Sequence, residues 1–282
     1  MPSSPDLILE AGRGERHYWR DLWKYRELFY FLAWRDVVIR YKQTVVGLLW
    51  ALLRPLLTTV VLTVTFSKIA RIAAPAGTPY AMIVLAGMLP WTLFSGAFSG
   101  GSSSLVGNAN LISKVYFPRL ILPASAVIVG FVEFLISLLM LALLMAYYGI
   151  APSARLLALP LFTGVAVAAA AGPAIWIGAL NVRYRDFTQI VPFLLLLGAY
   201  LSPVAYTTDH VFANDHLPAA WKFLYALNPM VGVIDGFRWA ILGDDFPIHW
   251  RPFLLSLAVI AALLIGGIRY FRRTEKTFAD LI

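Results

Sequence analysis

Two ionisable side chains stand inside otherwise apolar runs. Arg54 lies about ten residues into the run that starts at Val45, and Glu133 about fourteen into the run that starts at Leu120; at 1.5 Å per residue the two depths are comparable. A lone charge near the centre of a membrane helix costs about 2.5–3.5 kcal/mol on insertion scales, so such groups seek a protein partner or a wet cavity. The matching depths allow an intramembrane pair between Arg54 and Glu133. The alternative is that Arg54 snorkels to the surface and Glu133 is protonated. Two aromatic stripes share helical spacing: Gly87, Trp91, Phe94 and Phe98 on one run, and Phe193, Tyr200 and Val204 on another. Aromatic faces can guide sugars by stacking or can pack against lipid and neighbouring helices.

Motifs for catalysis are lacking. The sequence contains no G-x-x-x-x-G-K-[ST] loop, no G-x-S-x-G elbow and no H-E-x-x-H helix, so no catalytic residue is assigned and no nucleotide site is expected in this chain. There is no cysteine, which removes thiolate chemistry and Cys-ligated metals. Of the histidines His17, His210, His216 and His249, only Asp209-His210 with Asp215-His216 resembles a ligand cluster, and it reads as a solvated loop; no metal site is assigned.

The elements that carry these residues follow from composition. Of 282 residues, 60% are hydrophobic and 13% charged, against about 25% charged in a soluble domain. Mean hydropathy is +0.74. This is the composition of an all-α, multi-span membrane protein with no room for a separate soluble domain. The formal charge of +8 is topological, because sixteen of the 23 Lys and Arg fall in segments assigned to one side.

The organising stretch is residues 181–207, where a short basic loop with Arg183 and Arg185 runs into an apolar helix ending at Ser202-Pro203. Such a loop stays cytoplasmic, so the helix after it runs outward and orients the rest. Six spans are expected, at about 45–66, 80–98, 120–148, 156–180, 188–206 and 252–268, with both termini cytoplasmic. Span one is interrupted at Arg54-Pro55. Residues 99–118, polar and Gly/Ser-rich, read as an inner loop with a short helix. Residues 1–44 form a cytoplasmic segment whose part 18–33 is an amphipathic interfacial helix, and residues 45–282 the six-span domain. Asp36 and Arg40 stand at i and i+4, the favourable order for a helix pair. Two apolar pieces, 218–227 and 230–242, are each half a span and are expected to be re-entrant or interfacial helices at the outer face. Gly96-x-x-x-Gly100 and Gly232-x-x-x-Gly236 permit close helix contact.

Five short patterns occur in one order: R-D-x-x-x-R-Y-K before Gly-Leu-Leu-Trp (35–50), K-V-Y-F-P-R (114–119), N-V-R-Y-R-D leading to S-P-V-A-Y (181–206), L-N-P (227–229) and F-A-D-L-I (278–282). Together they resemble the membrane permease of type-2 ABC exporters, in the branch that exports O-antigen and capsular polysaccharides or teichoic acids. One departure is Arg54 before Pro55, where an uncharged polar residue is more usual. The resemblance implies a homodimer in the bacterial cytoplasmic membrane, each subunit bound to a separate ATP-binding subunit that holds ATP and Mg, with no cofactor in this chain. It implies ATPase coupling through Asp36 and Arg40 of the N-terminal segment and Lys114, Tyr116 and Phe117 of the inner loop. It also implies a path lined by spans one, two and five, which makes Trp91, Phe94, Phe98, Phe193 and Tyr200 the candidate lining. The substrate implied is a lipid-linked polysaccharide; exporters of drugs or small lipids, and a membrane enzyme of envelope glycan synthesis, are the competing readings.

Overall fold

The structure, a computed structural model, describes residues 18–41, 45–75 and 77–278, and these are helices and connecting turns with no strand among them. The segment 1–17 with His17, Lys42 and the tail after Phe278 lie outside the described residues. In chain order the helices are α1 (Tyr18–Lys24), α2 (Arg26–Tyr41), α3 (Val45–Thr63), α4 (Tyr80–Gly107), α5 (Ala109–Ile112), α6 (Ile121–Tyr148), α7 (Leu159–Arg183), α8 (Phe187–Leu201), α9 (Thr208–Phe212), α10 (Ala219–Ala226), α11 (Pro229–Leu242) and α12 (Trp250–Thr274).

Helix α4 is the hub, packed against α3, α6, α7, α8 and α11. Small residues let it approach its neighbours closely. A Cβ added to Gly130 on α6 would lie 2.8 Å from the Ala97 backbone nitrogen, and Gly96 on α4 faces the Gly130 Cα in turn. With no water to expel between apolar helices in lipid, such backbone contact is a main source of their adhesion. Gly100 meets Ala126, Gly232 meets Phe253 and Gly236 meets the Phe162 ring, so both spaced glycine pairs are contact positions.

Three expectations are corrected here. The stretch after Phe98 is not a loop: α4 continues to Gly107. Its serines stay helical by donating to carbonyls one turn back, Ser102 to Ser99 O at 2.9 Å and Ser104 to Gly101 O at 2.7 Å, while Gly101 packs on Ala174 of α7. At 28 residues α4 is about 42 Å long, more than the roughly 30 Å of a bilayer's hydrocarbon core, so a polar end projects beyond it. Helix α3 runs through Arg54 and Pro55 without a break and passes into a π-helical turn, Val64–Ile69, which takes in Lys68. The N-terminal amphipathic segment is two helices, parted at Tyr25, and extends to Tyr41.

Among the described residues five helical stretches are long and apolar enough to cross a membrane: Leu52–Ile69, Tyr80–Gly107, Ile121–Tyr148, Ala154–Arg183 and Trp250–Thr277. The expected fifth span, α8, has 15 residues, about 22 Å at helical rise, because Ser202 turns to extended backbone ahead of Pro203. The two half-length apolar pieces form α10 and α11 as separate helices, and α11 is almost wholly buried.

Candidate functional site

The described N-terminal helices, the turn after α5 and the end of α12 meet in one cluster at the basic end of the molecule. Leu32, Leu105, Ile112, Phe117, Phe271 and Phe278 form its core, with Tyr18 and Phe29 against it. Arg119 ties the 114–119 motif to the C-terminal segment: its backbone nitrogen donates to Glu275 Oε1 at 2.7 Å, its guanidinium to the Glu275 carbonyl, and it stacks 5.9 Å from the Phe278 ring. Phe117 is 3% exposed, whereas Tyr116 is 67% exposed and Lys114 and Val115 lie beside it at the surface. Phe117, for which the resemblance implied ATPase coupling, thus does not face outward in this chain; it is an internal pin in the turn presenting Lys114, Val115 and Tyr116.

The expected charge pairs are rearranged. Asp36 accepts from Arg35 at 2.7 Å, and Arg35 reaches on to Asn108 Oδ1 at 2.8 Å at the end of α4. Arg40 is therefore free of Asp36 and pairs instead with Glu133 on α6. Arg54 is exposed on α3 and is not the partner of Glu133. Helix α2 packs along α6 and brings the long side chain of Arg40 to Glu133.

The two aromatic stripes part company. Phe94 and Phe98 are buried within the chain, 5.8 Å apart ring to ring, and are core side chains rather than the free lining expected of them. Trp91 lies 5.3 Å from Phe94 and covers Gly198 on α8, where an added Cβ would come within 2.8 Å of the indole. Phe193 and Tyr200 are exposed along α8, and so available to line a surface.

The opposite end holds a buried, densely hydrogen-bonded polar site, which the sequence did not single out. In the turn after α8 every carbonyl from 204 to 206 meets a fixed donor. Val204 O accepts from Arg238 Nη2 at 3.0 Å, Ala205 O from Tyr80 Oη at 2.6 Å and Tyr206 O from Arg238 Nη1 at 2.8 Å; Arg238 Nε also donates to Ile83 O at 3.3 Å. Arg238 is 1% exposed, and its burial is tolerable only because its donors are used in this way. Gly87 is required here: an added Cβ would sit 2.5 Å from Val204 O. Asn228 links the L-N-P and S-P-V-A-Y motifs by capping Met230 N at 3.0 Å and donating to Ser202 Oγ at 3.0 Å.

Beside this clamp, His249 bridges Asp235 at 3.0 Å and Asp209 at 3.1 Å, while Thr208 donates to Asp235 Oδ1 at 2.6 Å. The hydrogen bond from Asp235 raises the His249 pKa above the ordinary imidazole value, against a desolvation that lowers it. His210 and His216 are not part of this network. His210 Nδ1 instead meets Thr207 Oγ1 at 2.9 Å, and among the described residues no group of three His, Asp or Glu side chains is placed to hold a metal ion. The sequence signal for the site is D-x-x-R, with Asp235 and Arg238 at i and i+3 of an apolar half-span.

A comparison with known proteins decides the family. Residues 27–242 match the ABC-2 type transporter family. The chain belongs to that family. Related proteins are similar over nearly the whole sequence. An O-antigen export system permease protein RfbA of Myxococcus xanthus is 30% identical over 263 residues, covering 93% of this chain and 98% of that protein. Two such permeases of Klebsiella pneumoniae are 25% and 26% identical over 257 residues, each match covering 91% of this chain and 95% of the relative. As an ABC-2 protein with several apolar helices, the chain is a multi-pass protein of the bacterial cytoplasmic membrane. The matched region runs from the start of α2 to the end of α11 and so takes in the basic-end turn and the Arg238 clamp.

Proposed function

We propose that this chain is the permease subunit of an ATP-driven exporter that moves a lipid-linked polysaccharide of O-antigen type outward across the cytoplasmic membrane. The observation that carries this is the end-to-end similarity to an O-antigen export permease. In this reading the five long helices and α8 make six spans, with α8 completed in depth by the clamped turn at 202–206. The basic end, with the described N-terminal helices and the end of α12, is cytoplasmic, which agrees with the Lys and Arg bias. Helices α10 and α11 then lie at the outer face, and α1 and α2 at the inner interface.

ATP and Mg belong to a separate ATP-binding subunit, which docks on the exposed face of Lys114, Val115 and Tyr116. Phe117 and the Asp36 and Arg40 contacts brace that face from behind. The permease acts as a homodimer through the exposed apolar faces of α3 and α8, with Phe193 and Tyr200 towards the path, Trp91 against α8, and Phe94 and Phe98 stiffening α4. The purified chain alone is expected to turn over no ATP, since it lacks a phosphate-cradling loop, and to gain turnover when co-purified with a partner that carries one. ATP hydrolysis by the isolated chain, above that of mock-purified membranes, would contradict the division of labour.

A further inference from the structure

Between α10 and the start of α12 lies a groove of about 470 Å³ whose walls include Phe212, Lys222, Phe223, Trp250, Arg251 and Leu255. Two features define what could fill it. The first is charge: Lys222 and Arg251 line it, and no carboxylate does. The Lys222 ammonium is held in place by donating to Phe212 O at 2.8 Å, which leaves two of its N–H groups for a ligand. Arg251 is exposed and makes no hydrogen bond or ion pair with the described residues. The nearby Asp209 and Asp235 are hydrogen-bonded to His249, which stands at the back of the groove.

The second feature is the rim. Phe223 and Trp250 of its lining are each more than half exposed, as are Leu224, next to Phe223 in the chain, and Leu254, next to the lining residue Leu255; water penalises such apolar exposure, and an indole at the end of a membrane-crossing helix suits the membrane interface. An occupant must then be anionic at one end and apolar along its length. We propose that the groove binds an anionic phospholipid of the outer leaflet, with its phosphate held by Lys222 and Arg251 and an acyl chain along Phe223, Trp250 and Leu255. The assignment to the outer leaflet rests on the orientation proposed above; the binding chemistry does not.

Native mass spectrometry of the full chain in detergent, titrated with phosphatidylglycerol or with phosphatidylcholine of the same chains, tests this. Wild type should hold one phosphatidylglycerol per protomer at least ten-fold more tightly than phosphatidylcholine, and Lys222→Gln with Arg251→Gln should lose that preference while melting as wild type does without lipid. If the double variant does not fold, brominated phosphatidylglycerol supplies the second measurement, since it should quench wild-type fluorescence more than that of Trp250→Phe. Equal retention of both lipids, an unchanged preference in the variant, or equal quenching in the two proteins would overturn the site. So would a polyprenyl phosphate probe that displaces phosphatidylglycerol from it, which would make the groove a substrate site. None of these readings involves transport, so they are separable from failure of the export function.

Discussion

At the scale of residues, the molecule spends its charges on contacts between elements. Arg40 with Glu133 joins α2 to α6, and the pair is partly open, with side chains 48% and 26% exposed. Because Glu133 lies within a helix long and apolar enough to cross the membrane, removing either partner strands the other away from bulk water, and the pair is expected to show a measurable coupling. A double-mutant cycle of Arg40→Gln and Glu133→Gln on thermal stability should show that coupling, whereas Arg54→Gln and Glu133→Gln should be additive; the reverse pattern would restore the pair expected from sequence. His249 provides a pH test. Its folded pKa is raised, so the stability it contributes is complete below the ordinary imidazole value near 6.5 and is lost as pH rises through the raised value. The stability difference between wild type and His249→Gln should accordingly be largest near about pH 6 and shrink towards about pH 9. A gap that stays constant or widens over that range would show that His249 is not protonated between Asp209 and Asp235.

At the scale of elements, much of the architecture could be read from hydrophobic runs and cation placement, and the failures have physical causes. Residues 99–107 read as a loop because serine and glycine are weak helix formers. They are helical because Ser102, Ser103 and Ser104 donate to carbonyls of the preceding turn and Gly100 and Gly101 let α6 and α7 approach, which only tertiary contact reveals. Arg238 does not stand out in the sequence because a sequence does not show that the fold offers it three carbonyls. The Tyr-Phe pair of the basic-end turn looked equivalent in sequence, yet one ring is inside and the other outside. This separates two outcomes. Phe117→Ala removes a buried ring and should destabilise the protein by about 3–5 kcal/mol, lowering its yield in the membrane. Tyr116→Ala should leave yield and melting unchanged but weaken retention of the ATP-binding subunit in a detergent pull-down and lower export. Normal retention and export in Tyr116→Ala would remove this turn from the coupling surface.

At the scale of the whole molecule, a braced basic end and a clamped opposite end are joined through α4, whose neighbours include most of the long helices. A stroke delivered at the 114–116 turn would reach α6 directly, since the turn leads into that helix, and α4 through the Gly96 and Gly130 contact. That arrangement suits a protein moved by a partner's ATP cycle. The most direct test of the central claim is made in the source bacterium by deleting this gene and measuring lipid-linked polysaccharide on each side of the cytoplasmic membrane. The account predicts complete, lipid-linked polysaccharide accumulating on the cytoplasmic side, loss of the corresponding polysaccharide from the cell surface, and reversal of both when the gene is restored. Surface polysaccharide at its normal level, or a block in which no lipid-linked polymer is made at all, would contradict it.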